Sequence, residues 1–354
     1  MKLFTVGPTE MYPETLLTGS KQLPYFRTEE FSDIVLECEK KLKELLDLNN
    51  GKIAFITGSG SAAMESVVSN SFDEKDNLLI INGGTFGARF LKLAQIYKIP
   101  YDEIIIKFGE TLTFDNFKNL DLKKYTALLV NIDETSTGQL YDIRMLSKIA
   151  KENNMRLIVD SISSFLADDY NMNKYNIDCT IISSQKALAL SPGLSFIALT
   201  NDFYEKNIKN KPIKNLYLNI NEHIINMERG QTPNTPAVGI ILELHERLKR
   251  INSYEGEVAK TEKLAKYFRK LAQDNGFEIP NYPLSNALTP IIIPNRQAKR
   301  VFEYLKDKYG IFVNPTGGEK ADEIIRIAHI GNLKEEDYDD LIQKMKEVIK
   351  WKRY

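Results

Sequence analysis

The chain is poor in the residues that build metal sites and disulfide frameworks. It has two cysteines, Cys38 and Cys179, and three histidines, His223, His245 and His329, in 354 residues. Two thiols so far apart make no disulfide framework, and they predict a reducing, cytoplasmic compartment. None of the histidines stands in a ligand spacing such as H-E-x-x-H, so no metal is expected. Excess charge of either sign is also lacking. The 47 Lys and Arg against 48 Asp and Glu leave a formal net charge of −1, which speaks against the basic footprint of a nucleic-acid-binding protein. No apolar run reaches the length that spans a bilayer, and the early Gly7-Pro8 turn interrupts any signal-peptide core. Internal repeats, low-complexity segments and a Gly/Ser-rich linker are missing too.

What remains is an ordinary globular composition, 43% hydrophobic and 27% charged, in a chain longer than one core usually serves. Short apolar runs alternate with longer helical patterns. Strands are predicted over 52–56, 77–81, 103–106, 127–130, 156–159, 179–182 and 194–199. Their near-continuous apolar character suits strands buried on both faces. A helix is expected over Ile143 to Asn153. The fold class is therefore α/β, a large domain with a mainly parallel sheet and helices on both faces. From about Glu243 the pattern changes. A charged amphipathic stretch spans Glu257 to Gln273, followed by strands at 291–293, 311–313 and 324–327, a helix over Ala298 to Lys308 and a closing helix from Glu335 to Lys350. That is a smaller α+β C-terminal domain. The expected division is an N-terminal segment over 1–15 near the active site and dimer interface, a large domain over 16–250 and the small domain over 251–354.

Three features carry chemistry. Thr57-Gly58-Ser59-Gly60-Ser61-Ala62-Ala63-Met64-Glu65 follows a strand and opens a helix, where bare N–H groups bind phosphate. Read alone, it is more often a glycine turn with an N-cap serine. Without a P-loop lysine or full G-x-G-x-x-G spacing, it does not favour a nucleotide. Asp160 ends the strand Leu157-Ile158-Val159, where a carboxylate faces the ligand crevice of an open sheet, although a turn aspartate reads the same. Lys186, in Ile181-Ile182-Ser183-Ser184-Gln185-Lys186-Ala187-Leu188, follows a strand among small and apolar neighbours. Desolvation there favours the neutral amine that a Schiff base needs. Phosphate cradle, anion and amine, in that order on one sheet, are the set that pyridoxal 5'-phosphate (PLP) requires.

With those motifs the chain resembles the class V, fold-type I PLP aminotransferases, the group of alanine–glyoxylate, serine–pyruvate and 2-aminoethylphosphonate–pyruvate transaminases. The resemblance runs from Val6-Gly7-Pro8-Thr9 through Gly84-Thr85-Phe86-Gly87-Ala88-Arg89, Glu134-Thr135-Ser136-Thr137-Gly138, Val159-Asp160-Ser161, Ser183-Ser184-Gln185-Lys186 and Thr232-Pro233-Asn234-Thr235-Pro236. It ends at Arg326-Ile327-Ala328-His329-Ile330-Gly331. It implies that Lys186 forms the Schiff base and acts as general base, and that Asp160 pairs with the ring nitrogen. Ser59, Gly60 and Ser61 would cradle the phosphate with Gln185 nearby, Phe86 would cover the ring, and Thr135 would lie near the 3'-oxygen. Gly7 and Arg326 would bind substrate, Arg326 through its carboxylate. Thr235 would reach the phosphate of the partner subunit, which implies a homodimer with shared active sites. The implied reaction moves an amino group from a small amino acid of the alanine or serine type to glyoxylate or pyruvate by a ping-pong route. The alternative within the group is 2-aminoethylphosphonate with pyruvate.

Two departures stand out. Tyr25-Phe26-Arg27 replaces the family's frequent His-Arg, which touches the mouth of the site and bears on substrate choice. Ser61 stands where Thr or His is also common. A PLP lyase of the cysteine desulfurase type would need a mobile cysteine, but Cys38 falls in a helical pattern and Cys179 in a strand. Gln185 also replaces the histidine expected before the lysine in that group. A non-enzymatic PLP-binding protein is disfavoured by the intact Lys186, Asp160 and Arg326 and by the lack of a DNA-binding appendage.

Overall fold

A computed structural model describes residues 1–317 and 320–349. All seven expected strands of the large sheet form. In spatial order they are Gly51–Thr57, Leu194–Thr200, Cys179–Ser183, Arg156–Asp160, Ala127–Asn131, Leu78–Asn82 and Tyr101–Ile105. The sheet is mainly parallel, and Leu194–Thr200 alone runs against both of its neighbours.

The apolar runs are continuous because the pleat sends alternate residues into two separate cores. Ile53, Phe55, Leu79 and Ile81 face one of them. Ala54, Ile56, Leu78 and Ile80 face the other. Helices Glu29–Leu46, Ile143–Glu152 and Val238–Leu248 cover the first face. Helices Gly60–Ser71, Gly87–Ile96, Asn201–Asn207 and Ile220–Met227 cover the second. Helix Glu29–Leu46 shows how the sequence writes such an element. Phe31, Val35, Cys38, Leu42 and Leu45 recur at helical spacing and are buried. Thr28 caps the start by accepting from the Phe31 N–H at 3.3 Å, and Asp47 closes the end with φ 52°.

The smaller unit has its own core around Leu264, Phe268, Ile325, Ile327 and Tyr338. Its three-stranded antiparallel sheet orders Leu288–Ile292, Ile324–Ala328 and Asn314–Pro315. Helices Ala298–Tyr309 and Glu335–Val348 pack on it. The expected last residue of the closing helix, Lys350, lies outside the described residues. Two details go beyond the sequence reading. The change of pattern at Glu243 falls inside helix Val238–Leu248, whose Ile241, Leu244 and Leu248 still belong to the main core. Ile311–Phe312 pairs not with Ile324–Ala328 but with Lys2–Leu3, so the N-terminus adds a strand there and buries Phe4 in the smaller core. Helix Tyr254–Asp274 spans both bodies, with Tyr254 in the main core and Phe268 in the smaller one.

Among the described residues no helix is long and apolar enough to cross a membrane. None of their His, Cys, Asp and Glu side chains forms a group of three that could hold a metal ion.

Candidate active site

Parallel strands deliver their C-terminal ends to one edge of the sheet, and the chemistry collects there. Asn131 and Asp160 stand opposite each other as the last residues of their strands. Gln185 and Lys186 follow the strand Cys179–Ser183, and Ser59 and Gly60 follow Gly51–Thr57. These residues line one cavity of about 310 Å³ together with Gly7, Ser61, Phe86, Arg89, Thr135, Ile162 and Ser163. Nine of the eleven residues singled out from the sequence thus meet in a single pocket. The other two lie outside it. Thr235 is exposed on the Thr232–Pro236 loop. Arg326 reaches the rim through Thr135, whose carbonyl accepts from Arg326 Nη1 at 2.8 Å.

One end of the pocket is built for an anion. Helix Gly60–Ser71 starts there, with Ser59 at its N-cap position, yet the Ser59 side chain makes no capping hydrogen bond. The hydroxyl and the first N–H groups of the helix are left to face the pocket. Gly60 packs so closely on Ile162 and Ser183 that a Cβ would strike the Ile162 side chain.

The other end holds an acid and an amine. Asp160 is fully buried. Burial pushes its carboxyl up to about 6, against the Ile162 N–H, Asn131, Lys186 and Arg89. The Ile162 N–H donates to Asp160 Oδ1 at 2.9 Å. Burial also pushes the Lys186 ammonium down to about 8. Arg326 and Arg89 act in the same direction, while Asp133 and Asp160 oppose them. Near neutrality the amine is thus far easier to deprotonate than a surface lysine.

The N-terminal segment locks Lys186 in place. Thr9 Oγ1 donates to the Lys186 carbonyl at 3.0 Å. Gly7 lies so close that a Cβ there would sit 3.0 Å from Lys186 Cδ, Cε and Nζ. Gly7→Ala is therefore expected to displace the amine and lower kcat by up to about 100-fold, the scale of an ångström's misplacement. KM for the carboxylate substrate should change much less. Steady-state kinetics of that variant at full wild-type activity would show that the lysine does not depend on this packing.

Thr135 and Glu134 join the pieces. Thr135 Oγ1 shares a hydrogen bond with Ser163 Oγ at 2.8 Å. Glu134 accepts from the Phe86 and Gly87 N–H groups at 3.3 and 2.9 Å and so fixes the turn that carries the Phe86 ring. Ser183 Oγ donates to Gln185 Oε1 at 2.6 Å. Sequence reasoning passed over Asn131, Arg89, Glu134 and Asp133. The strand-end rule that picked out Asp160 applies equally to Asn131, whose register partner it is.

Asp133 is the anomaly. It is fully buried, and neither carboxyl oxygen has a hydrogen bond among the described residues. Burial, with Asp168 and Glu134 adding to it, pushes its carboxyl up to about 8, and the Ser163 hydroxyl and Lys186 oppose. An unfolded aspartate releases its proton near 3.8, whereas the folded chain keeps it to about 8. Between those values the unfolded state binds fewer protons, so stability falls as pH rises through that window. Asp133→Asn does not titrate. It is expected to match the wild type near pH 4 and to gain on it toward pH 8, by at most about 1.4 kcal/mol per pH unit. Urea unfolding across this range checks it, and parallel stability curves would contradict it.

The pocket's own atoms fit PLP. It offers an uncapped helix start for a phosphate, a buried carboxyl lacking a cation and Asn131 Oδ1 with no partner among the described residues. It also offers a buried amine for an aldehyde. Cys38 and Cys179 are both buried, with burial pushing each thiol well up, so neither is a nucleophile of the desulfurase kind.

Fold and pocket together define a PLP-dependent transaminase of fold type I. The chain belongs to the class-V aminotransferase family, whose model matches residues 21–331. An uncharacterized aminotransferase of Methanocaldococcus jannaschii is 31% identical over 343 residues, covering 93% of this chain and 87% of its own. The serine–glyoxylate aminotransferase of Hyphomicrobium methylovorum is 23% identical over 351 residues, covering 94% of this chain and 85% of its own. Among solved structures, an alanine–glyoxylate aminotransferase from Nostoc superposes with a TM-score of 0.91 at 23% identity, over 98% of this chain and 94% of that one.

Proposed function

We propose that this transaminase moves the amino group of a small amino acid, of the alanine or serine type, to glyoxylate or pyruvate. The observation that carries the reading is the single pocket in which an uncapped helix start, Asp160 and a deprotonatable Lys186 meet, with Arg326 at its rim. The serine–glyoxylate and alanine–glyoxylate relatives support the choice of small partners.

In this reading Ser59, Gly60, Ser61 and Gln185 hold the phosphate, and the Phe86 ring covers one face of the cofactor. Thr135, in the same lining, would lie near its 3'-oxygen. Asp160 would keep a proton on the ring nitrogen, and the charge there would give this buried carboxylate an ion-pair partner. When bound, the cofactor supplies a sink for the electrons of the substrate's Cα–H bond. Lys186 would anchor it, and its amine, which burial makes easier to deprotonate, would carry the proton away from Cα as general base. Arg326 grips the substrate carboxylate in a planar two-point contact, beside Gly7. Ping-pong kinetics would follow, with donor and acceptor using the same pocket in turn.

The active unit in this proposal is a homodimer, with Thr235 completing the partner's phosphate site. Ser59, Ser61 and Thr235 are all exposed in the single chain. So are the large apolar side chains Leu16, Leu17, Leu23, Tyr25, Leu216 and Tyr217. The phosphate end is also near this apolar surface, since Tyr217 donates to the Thr57 carbonyl. Residues 16–250 would form the cofactor-binding unit and 251–354 the smaller one, with 1–15 reaching from the latter into the pocket. A cytoplasmic setting suits the two thiols.

The test is a panel of amino donors against the purified holoenzyme, following the absorbance of the bound cofactor through the first half-reaction alone. Alanine or serine should drive it fastest, and glyoxylate or pyruvate should reverse it. Response to 2-aminoethylphosphonate alone would transfer the assignment to that substrate. Sedimentation of a monomer with full turnover would refute the shared site.

A further inference from the structure

Arg89 sits in the first turn of helix Gly87–Ile96 and lines the same pocket as Asp160 and Lys186. Its guanidinium lies 4.7 Å from the centroid of the Phe86 ring. Nη1 donates to Ser61 Oγ at 2.7 Å. No carboxylate pairs with it among the described residues. Asp160 lies in the same pocket and feels the charge of Arg89, but forms no ion pair with it, and two acids of neighbouring segments are engaged elsewhere. Glu65, on the facing helix, accepts from Tyr97 Oη at 2.8 Å. Glu134 accepts from the Phe86 and Gly87 N–H groups.

A partly buried guanidinium without a counter-ion is costly unless a ligand supplies the anion. Here the charge is directed at the start of helix Gly60–Ser71, where bare N–H groups and the uncapped Ser59 already favour an anion. Its hydrogen bond fixes the rotamer of Ser61, and its stacking fixes the plane of Phe86. One side chain therefore ties the anion end of the pocket to the ring-covering end.

We propose that Arg89 is the positioning residue of the phosphate cradle. It aims the Ser61 hydroxyl at the phosphate, supplies the cradle's fixed positive charge and clamps the Phe86 ring in the orientation that covers the cofactor. This inference rests on the PLP reading and deepens it.

The experiment compares the affinity of cofactor-free protein for PLP with its affinity for pyridoxal, which has the same ring and aldehyde but no phosphate. Wild type, Arg89→Met and Arg89→Lys are titrated by absorbance, and their melting temperatures are recorded. Arg89→Met should bind PLP about 10- to 100-fold more weakly, the span of a hydrogen bond to a charged group. Its affinity for pyridoxal should fall by less than about 3-fold, from the loosened Phe86 ring alone, because the charge and the Ser61 hydroxyl that Arg89 aims act on the phosphate. Arg89→Lys should recover part of the PLP affinity, since it keeps the charge but not the planar fork or the stack. Unchanged PLP affinity in Arg89→Met would overturn the proposal. Equal weakening of PLP and pyridoxal would also overturn it, by confining Arg89 to the support of Phe86. Should Arg89→Met fail to fold, Arg89→Lys decides: wild-type preference for PLP over pyridoxal with a wild-type PLP affinity overturns the proposal. A wild type that bound neither compound would instead remove the PLP reading itself, which separates the two failures.

Discussion

Lys186→Ala is expected to reduce transamination by at least about ten-thousand-fold, the upper range for a lost general base, with the covalent anchor lost as well. The fold should survive. Lys186 is buried and its charged form is disfavoured there, so its ammonium contributes little to stability. Its backbone carbonyl keeps the hydrogen bonds from Thr9 Oγ1 and the Ala189 N–H in the variant. PLP should still bind, because the helix start, Asp160 and Phe86 remain, but more weakly and without the absorbance of a lysine-linked cofactor. Added small amines should restore some turnover. Activity within about 10-fold of wild type would mean that another base serves the reaction.

Arg326→Ala is the second large effect. Nη1 donates to the Thr135 carbonyl at 2.8 Å and Nη2 to the Pro315 carbonyl at 3.2 Å, while Nε has no partner among the described residues. Burial lowers the pKa of the guanidinium, and Glu134 and Asp133 oppose that, though neither pairs with it. An arginine held by two carbonyls, with Nε unmatched among the described residues, would suit the incoming carboxylate proposed for it. Losing it should cost about 2–5 kcal/mol of substrate binding, or roughly 30- to 4000-fold in KM for both amino donor and oxo acid. PLP affinity should change little, because its contacts come from other residues. Arg326→Lys should rescue partly, since an ammonium cannot make the paired bonds. Unaltered KM for carboxylate substrates would make Arg326 structural, a bridge from Ile324–Ala328 to Thr135.

Much of this was legible in the sequence for a physical reason. A strand buried on both faces must be apolar throughout, so Leu78–Asn82 and Ala127–Asn131 announce themselves. Parallel strands send their C-terminal ends to one edge, so Asp160 and Lys186 could be placed in one crevice before any coordinates. The same logic hid the direction of Leu194–Thr200, because a fully buried strand reads alike in either sense. Lys2–Leu3 was invisible because two residues carry no periodicity. Arg89 and Asp133 were missed because their meaning lies in what they lack: a carboxylate for the one, a hydrogen-bond donor for the other. Partnerlessness is a property of three-dimensional surroundings, and residue type alone does not reveal it. Thr235 marks the limit of a single chain, since the role proposed for it belongs to the pocket of a second copy.

The most direct measurement is borohydride reduction of the PLP-loaded protein, followed by peptide mapping. Reduction should fix the cofactor, one per chain, to the peptide that contains Lys186, and prior addition of an amino donor should protect that lysine from labelling. Label on any other lysine, or no stable label on a protein that turns over, would contradict the assignment of the pocket.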